Sequence, residues 1–172
     1  MKRRSWKIGI GDNAIDNTVD HMVRLSMRDR SDAKITTLAE SLAGKTDRAT
    51  AKAAYNWIMR NIPYIEDPVD REQLTAPRLL VDGPIDGSDC DDHSMLFASI
   101  MASMKIPVWF KVIAWRSRNY THVYPLVGLR EEGIVIPVDT VLGLADGNGF
   151  GKEKTPVRRS KVYGLRRSAA KE

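Results

Sequence analysis

The order of elements along this chain predicts an α+β fold. Helical patterns fill residues 14–62 and recur from Cys90 to Met104, while β-branched and aromatic runs separated by turn residues occupy residues 108–139. Helices gathered first and strands gathered later pack as a helical layer on an antiparallel sheet; regular alternation would instead give a parallel one. A length of 172 residues, with 42% apolar and 28% charged residues, suits one soluble domain with a full core. That domain is expected over residues 1–150, with a basic C-terminal tail over 151–172.

Ser5 to Ile10 alternates weakly and predicts a short strand stopped by Gly11-Asp12-Asn13. A first helix runs from Ala14 or Thr18 to Met27, with Ile15, Val19, Met22, Val23 and Met27 near helical spacing; His21 on it reads as a surface or cap histidine. The second helix, Ala33 to Leu42, carries Ile35, Leu38, Ala39 and Leu42 on one stripe and stops at Gly44. The third, Asp47 to Ile62, is capped by Thr46 or Asp47, turns Ala51, Ala54, Tyr55, Ile58 and Ile62 inward, and ends at Pro63. Residues 64–84, punctuated by Pro68, Pro77 and Pro84, predict an irregular crossing pinned by Leu79-Leu80. A connection of that length is often functional, and this one, leading straight to Cys90, is expected to wall a substrate cleft.

Cys90 is the only cysteine, at a loop-to-helix junction where Ser88 or Asp89 can cap. From Met95 to Met104 the helix is apolar or small on nearly every face, the pattern of a buried helix. A thiol at such an N-terminus sits at the positive end of the macrodipole, which favours thiolate. Asp89, Asp91 and Asp92 oppose it, so a pH optimum above neutrality is expected. The plainer role for Cys90 is a small buried hydrophobe, but its four ionisable neighbours, His93 included, argue for chemistry. Lys105-Ile106-Pro107 then turns into strands at 108–115, 120–127 and 134–139. Residues 116–119 form a basic turn and 128–133 a hairpin loop, and from Gly143 a Gly-rich meander leads into the tail.

The hairpin brings two residues together. A turn centred on Arg130-Glu131 sets His122 opposite Asp139; one centred a residue later sets Asp139 opposite Tyr124 and diagonal to His122. Either way the pair is within reach, opposed Cβ atoms being roughly 5 Å apart and diagonal ones roughly 7–8 Å. An Asp there can hold the imidazole in one tautomer, leaving its other nitrogen to take a proton from a thiol.

Tyr-Asn-Trp-Ile-Met-Arg-Asn-Ile-Pro-Tyr at 55–64, Asp-Cys-Asp-Asp-His-Ser at 89–94, His122-Val-Tyr and Pro137-Val-Asp139 together resemble the transglutaminase-like superfamily of cysteine enzymes, over residues 45–142. The resemblance implies a papain-like core, with the cysteine helix packed on an antiparallel sheet. It implies Cys90 as nucleophile, His122 as general base and acid, and Asp139 as the orienting carboxylate, with no cofactor. Relatives place Gly directly before the residue preceding the cysteine; in Gly87-Ser88-Asp89-Cys90 it stands one residue further away. Gln73 is the candidate for a second oxyanion donor. Short single-domain relatives occur in bacteriophage genomes near virion genes, which makes phage structural proteins candidate partners alongside a protein or peptide substrate.

An acyl-thioenzyme can pass its acyl group to water, as in a peptidase or amidase, or to a lysine amine, as in a cross-linking enzyme. Hydrolysis is expected, because the chain is small and has no added domain for a second substrate. Two other readings compete. One is a structural or binding component, for example of a virion, that retains the fold. The other is a metal site of Cys90 and His93 with His122 and Asp92 or His21, which lacks the second closely spaced ligand pair that structural zinc usually has.

Residues 152–172 hold eight Lys/Arg against two Glu, or +6, leaving −1 on the rest of a chain whose net charge is +5. That tail is expected to be solvated or to contact a polyanion. One cysteine forms no internal disulfide, and Met-Lys-Arg-Arg runs into polar residues with no apolar stretch. The expectation is a cytoplasmic protein, in a bacterial host or virion-associated if phage-encoded, with no membrane contact.

Overall fold

The computed structural model describes residues 4–7, 12–67, 71–83, 88–115, 118–153 and 155–165. The described elements are β1 (Arg4–Lys7), α1 (Asp12–Asp29), α2 (Ala33–Ser41), α3 (Asp47–Asn61), β2 (Arg71–Leu74), α4 (Pro77–Leu80), α5 (Cys90–Ser103), β3 (Val108–Ala114), β4 (His122–Leu129), β5 (Ile134–Pro137), α6 (Thr140–Asp146) and β6 (Arg159–Gly164). Side-chain caps start the helices where the sequence places polar residues. Asp32 accepts from Lys34 N on α2, Thr46 Oγ1 accepts from Ala49 N on α3, and Asp89 accepts from Asp91 N on α5. Thr46 takes the α3 cap because the Asp47 carboxylate is turned to Arg130 of the β4–β5 turn, with bonds of 2.7 Å to Nε and NH2.

α5 is the axis of the core. Met95, Leu96, Phe97, Ala98, Ile100 and Met101 are all fully buried, so no face of the helix is left for water. α1 to α4 surround it on one side and β3 and β4 on the other. α1 crosses closely, with Ser99 Oγ donating to Ser26 O at 3.3 Å. The main sheet runs β5-β4-β3-β6 with antiparallel pairing throughout, and β1 pairs with β2 in a separate ribbon. This is a mixed helix-and-antiparallel-sheet architecture, as the element order predicts. Val108, Phe110, Val112, Val123, Val127 and Leu129 face the helical core. Strand alternation puts His122 and Tyr124 on the opposite face, with Lys111 and Ile113 across the ladder.

Two stretches differ from expectation. The crossing at 64–84 contains β2 and α4. Pro77 is compatible with α4 because it stands in the first turn, where its missing N–H would have no partner anyway, and Leu74 and Leu80 anchor the segment in the core. Of the three prolines expected to break this crossing, Pro68 and Pro84 lie outside the described residues, as do Ile8 to Ile10 of the first predicted strand.

The second difference is the basic tail. Its residues 159–164 form β6, paired with β3 from Trp109↔Gly164 to Ala114↔Arg159, and Leu165 is buried in the core. The basic composition conceals a strand because an edge strand pairs through its backbone and tolerates charged side chains. Part of that charge holds the segment to the fold: Lys161 pairs with Asp16 at 2.5 Å, and Arg159 NH1 donates to Arg118 O at 2.9 Å. The expected meander after Gly143 also contains the end of α6, which begins at Thr140. Among the described residues no helix is long and apolar enough to cross a membrane.

Candidate active site

The β4–β5 hairpin takes the later of the two registers, with Leu126↔Pro137 and Leu129↔Ile134. Gly133 decides this. Its φ of 65° is open to glycine without strain, and its N–H closes the turn on Leu129 O at 2.9 Å. α3 grips the turn from outside through Asp47–Arg130 and the paired 2.7 Å bonds from Arg48 to Glu132. In this register Asp139 lies past the last ladder pair and diagonal to His122.

His122 Nε2 lies 2.8 Å from Asp139 Oδ2, with both side chains nearly fully buried. Oδ1 of the same carboxylate accepts from Val141 N at 3.0 Å and Leu142 N at 3.1 Å, capping α6. Asp139 therefore has its two oxygens assigned by two structures: a helix N-terminus fixes one and an imidazole takes the other. With Nε2–H donated to Asp139, the lone pair of a neutral ring lies on Nδ1. The ring packs against Trp115 at 5.3 Å and Tyr124 at 5.6 Å between centroids. Tyr124 in turn donates to Glu153, which also accepts from Lys111. Burial raises the pKa of the Glu153 carboxyl, but the bonds from Lys111 and Tyr124 hold it below the usual glutamate range.

Cys90, half-buried, opens α5. The first turn of this helix is bonded to both segments that carry the pair. Ser94 Oγ donates to Val123 O at 3.3 Å, beside His122, and His93 Nδ1 lies 3.1 Å from Thr140 Oγ1, beside Asp139. Ser94 stands one turn above Cys90 on the same helix face and also bonds Cys90 O at 2.5 Å. Thr75 N donates to Asp92 Oδ1 at 2.6 Å, which ties the end of β2 to the same turn. Gln73 lies on that strand two residues before Thr75, and its own N–H goes to Asp67. Tyr64, on the loop after α3, has its hydroxyl pKa raised by burial first and then by the charges of Cys90, Asp89, Glu66 and Asp91. The thiol and this phenol are thus within electrostatic reach. Gly87 lies outside the described residues.

His93 is structural. Its ring nitrogens face Thr140 Oγ1 and, at 3.4 Å, Ser88 Oγ, and Tyr64 packs edge-on against it. Among the described residues, Cys90 and His93 do not fall in a group of three side chains close enough to share a metal ion. Asp89, Asp91 and Asp92 do bring carboxylate oxygens within 4.8 Å of one another, with Asp89 capping the helix and Asp92 holding Thr75. Burial lowers the His93 pKa from 6.5 to about 4, against the opposing charge of Asp89.

The folded state thus disfavours protonated His93. Its contribution is complete above pH 6.5 and is lost as pH falls from 6.5 towards 4, a change of about 3 kcal/mol in unfolding free energy. Urea midpoints measured between pH 7 and 4 should show this decline, and His93→Gln should flatten it. An unchanged slope in the variant would assign the decline to other groups.

Sequence reasoning missed several parts of the site. The cap that Asp139 gives α6 was signalled by an Asp directly before Thr140-Val-Leu; Glu153 and Trp115 carried no local signal. Comparison with protein-family models and with curated proteins finds no match for this chain.

Proposed function

We propose that the protein is a cysteine enzyme that transfers acyl groups through Cys90, His122 and Asp139, and that its reaction is hydrolysis of a peptide or amide bond. The observation that carries this reading is the His122–Asp139 pair, in contact through Nε2 so that a ring donating there keeps its lone pair on Nδ1, and joined through Val123 and Thr140 to the turn bearing the lone thiol. The helix α5, starting at a cysteine and packed on an antiparallel sheet, is also what a transglutaminase-like, papain-like core would require.

In the proposed cycle the Cys90 thiol gives its proton to His122 Nδ1, and the sulfur attacks the carbonyl carbon of the substrate. The imidazolium, stabilised by Asp139, protonates the leaving amine as the C–N bond breaks, and a thioester remains. His122 then takes a proton from water as its oxygen attacks the thioester. The acid departs and the thiol is restored.

The test is the rate of Cys90 alkylation by iodoacetamide at neutral pH. Native protein should react much faster than a free thiol, and His122→Ala should slow it on the order of 10²-fold, the lower end of what a positioned base contributes. Slow labelling independent of His122 would return the chain to a structural or binding role. Incubating the labelling-competent protein with peptides, with and without an added primary amine, separates hydrolysis from transfer by product mass.

A further inference from the structure

The carboxylate of Asp139 orients His122 only if its own backbone is held, and the hairpin ladder ends before it. A second strand of contacts takes over there. Asp139 N donates to Gly149 O at 2.7 Å, Gly151 N donates to Pro137 O at 2.8 Å, and Val138 bridges Phe150. Gly149 N in turn donates to Tyr55 Oη at 3.2 Å, a bond that spans the distance from α3 to the segment after α6.

The packing along this line has no slack. A Cβ on Gly149 would stand 1.6 Å from Asp139 O, and one on Gly143 would stand 2.0 Å from Tyr55 Oη. Both glycines are needed for close approach, and neither has the positive φ that would explain it by turn geometry. Tyr55 is also tied in by its ring, with Phe150 at 5.8 Å and Lys52 Nζ at 4.9 Å from its centroid.

We propose that Tyr55, acting through Gly149, is a positioning residue for Asp139 and so for the orientation of the His122 ring. The route is continuous: phenol oxygen to Gly149 N–H, Gly149 carbonyl to Asp139 N–H, Asp139 Oδ2 to His122 Nε2. In keeping with that proximity, the Tyr55 hydroxyl pKa is raised first by burial and also by the negative charge of Asp139, against the bond to Gly149, which lowers it. Removing the phenol oxygen leaves the Gly149 N–H without its acceptor and frees the segment that clamps Asp139.

The inference rests on the proposed roles of His122 and Asp139, so its test has two readouts. The first is the His122 Nε2–H proton resonance, followed by NMR in native protein and in Tyr55→Phe, which keeps the ring and its contacts. The downfield resonance of a carboxylate-bonded imidazole should move or broaden in the variant, and an unchanged resonance overturns the proposal whatever the activity. The second is Cys90 alkylation. Tyr55→Phe should slow it ~10-fold, as a displaced catalytic group does, and should add less than about 2-fold in an Asp139→Asn background, because residues in one network are not additive. Equal slowing in both backgrounds would mean that Tyr55 acts by general stability and would overturn the proposal. If His122→Ala leaves labelling unchanged, the proposed chemistry fails while the resonance still judges the bracket. Gly149→Ala, which must displace Asp139 O or its own segment, should reproduce both effects more strongly wherever it folds.

Discussion

Asp139→Asn will slow Cys90 alkylation on the order of 10²-fold or more at neutral pH while lowering the melting temperature little. The separation of the two effects follows from the two oxygens. Oδ1 caps α6 through Val141 N and Leu142 N, a job that an amide oxygen does as well. Oδ2 receives His122 Nε2 at 2.8 Å, and an amide NH2 in its place can only donate. The ring must then present a lone pair at Nε2 and carry its proton on Nδ1, the nitrogen that has to accept one from the thiol. The negative charge that stabilises imidazolium is lost in the same step. Asp139→Ala removes the cap as well and should cost a further ~1 kcal/mol of stability. Measuring both variants by labelling rate and thermal melt checks the assignment. Equal loss of rate and stability in Asp139→Asn would show that the residue is only a helix cap.

Ending the chain after Gly151 will prevent stable folding rather than trim a loose end. The cut removes β6, six residues paired with β3, and exposes the edge of a strand whose Phe110, Val112 and Ile113 are fully buried. It also removes Leu165 from the core, about 1.5–3 kcal/mol for burial of one such side chain. With it go Glu153 beneath Tyr124 and the Asp16 contacts of Lys161 and Tyr163. Against a typical total of roughly 5–15 kcal/mol these losses are severe, and the newly bare strand edge invites aggregation. A chain ended after Leu165 keeps every one of those contacts and serves as the control. Circular dichroism melts of the two should differ sharply; a cooperative transition in the shorter chain near that of the control would refute a structural role for β6.

Much of this architecture could be read from residue patterns because the relevant signals are local. The periodicity of Ala51, Ala54, Tyr55 and Ile58, the apolar run from Met95, and the β-branched strands at 108–114 and 134–137 each declare their own element within a few residues. The hairpin needed only its turn length to bring His122 towards Asp139, and Gly133 chose between the two registers. Patterns failed where an element is stabilised by a distant partner. β2 depends on β1, about seventy positions away in the numbering of Arg4↔Leu74, and β6 depends on β3. Neither Arg71–Leu74, three polar residues and one leucine, nor the basic run at Arg159–Gly164 has a strand period strong enough to stand alone.

By itself the sequence determined the helix-then-sheet class, the single thiol at a helix start, and the pairing of one histidine with one aspartate through a short turn. All three depend on residue types within a helix, a strand or a hairpin. Only the tertiary structure decided which nitrogen of His122 meets Asp139, that His93 is buried as a neutral packing residue, and that Tyr55 and Gly149 clamp the carboxylate from across the fold. Those outcomes depend on burial and on contacts between residues far apart in the chain, where the cost of an unpaired polar group sets the geometry and no local pattern records it.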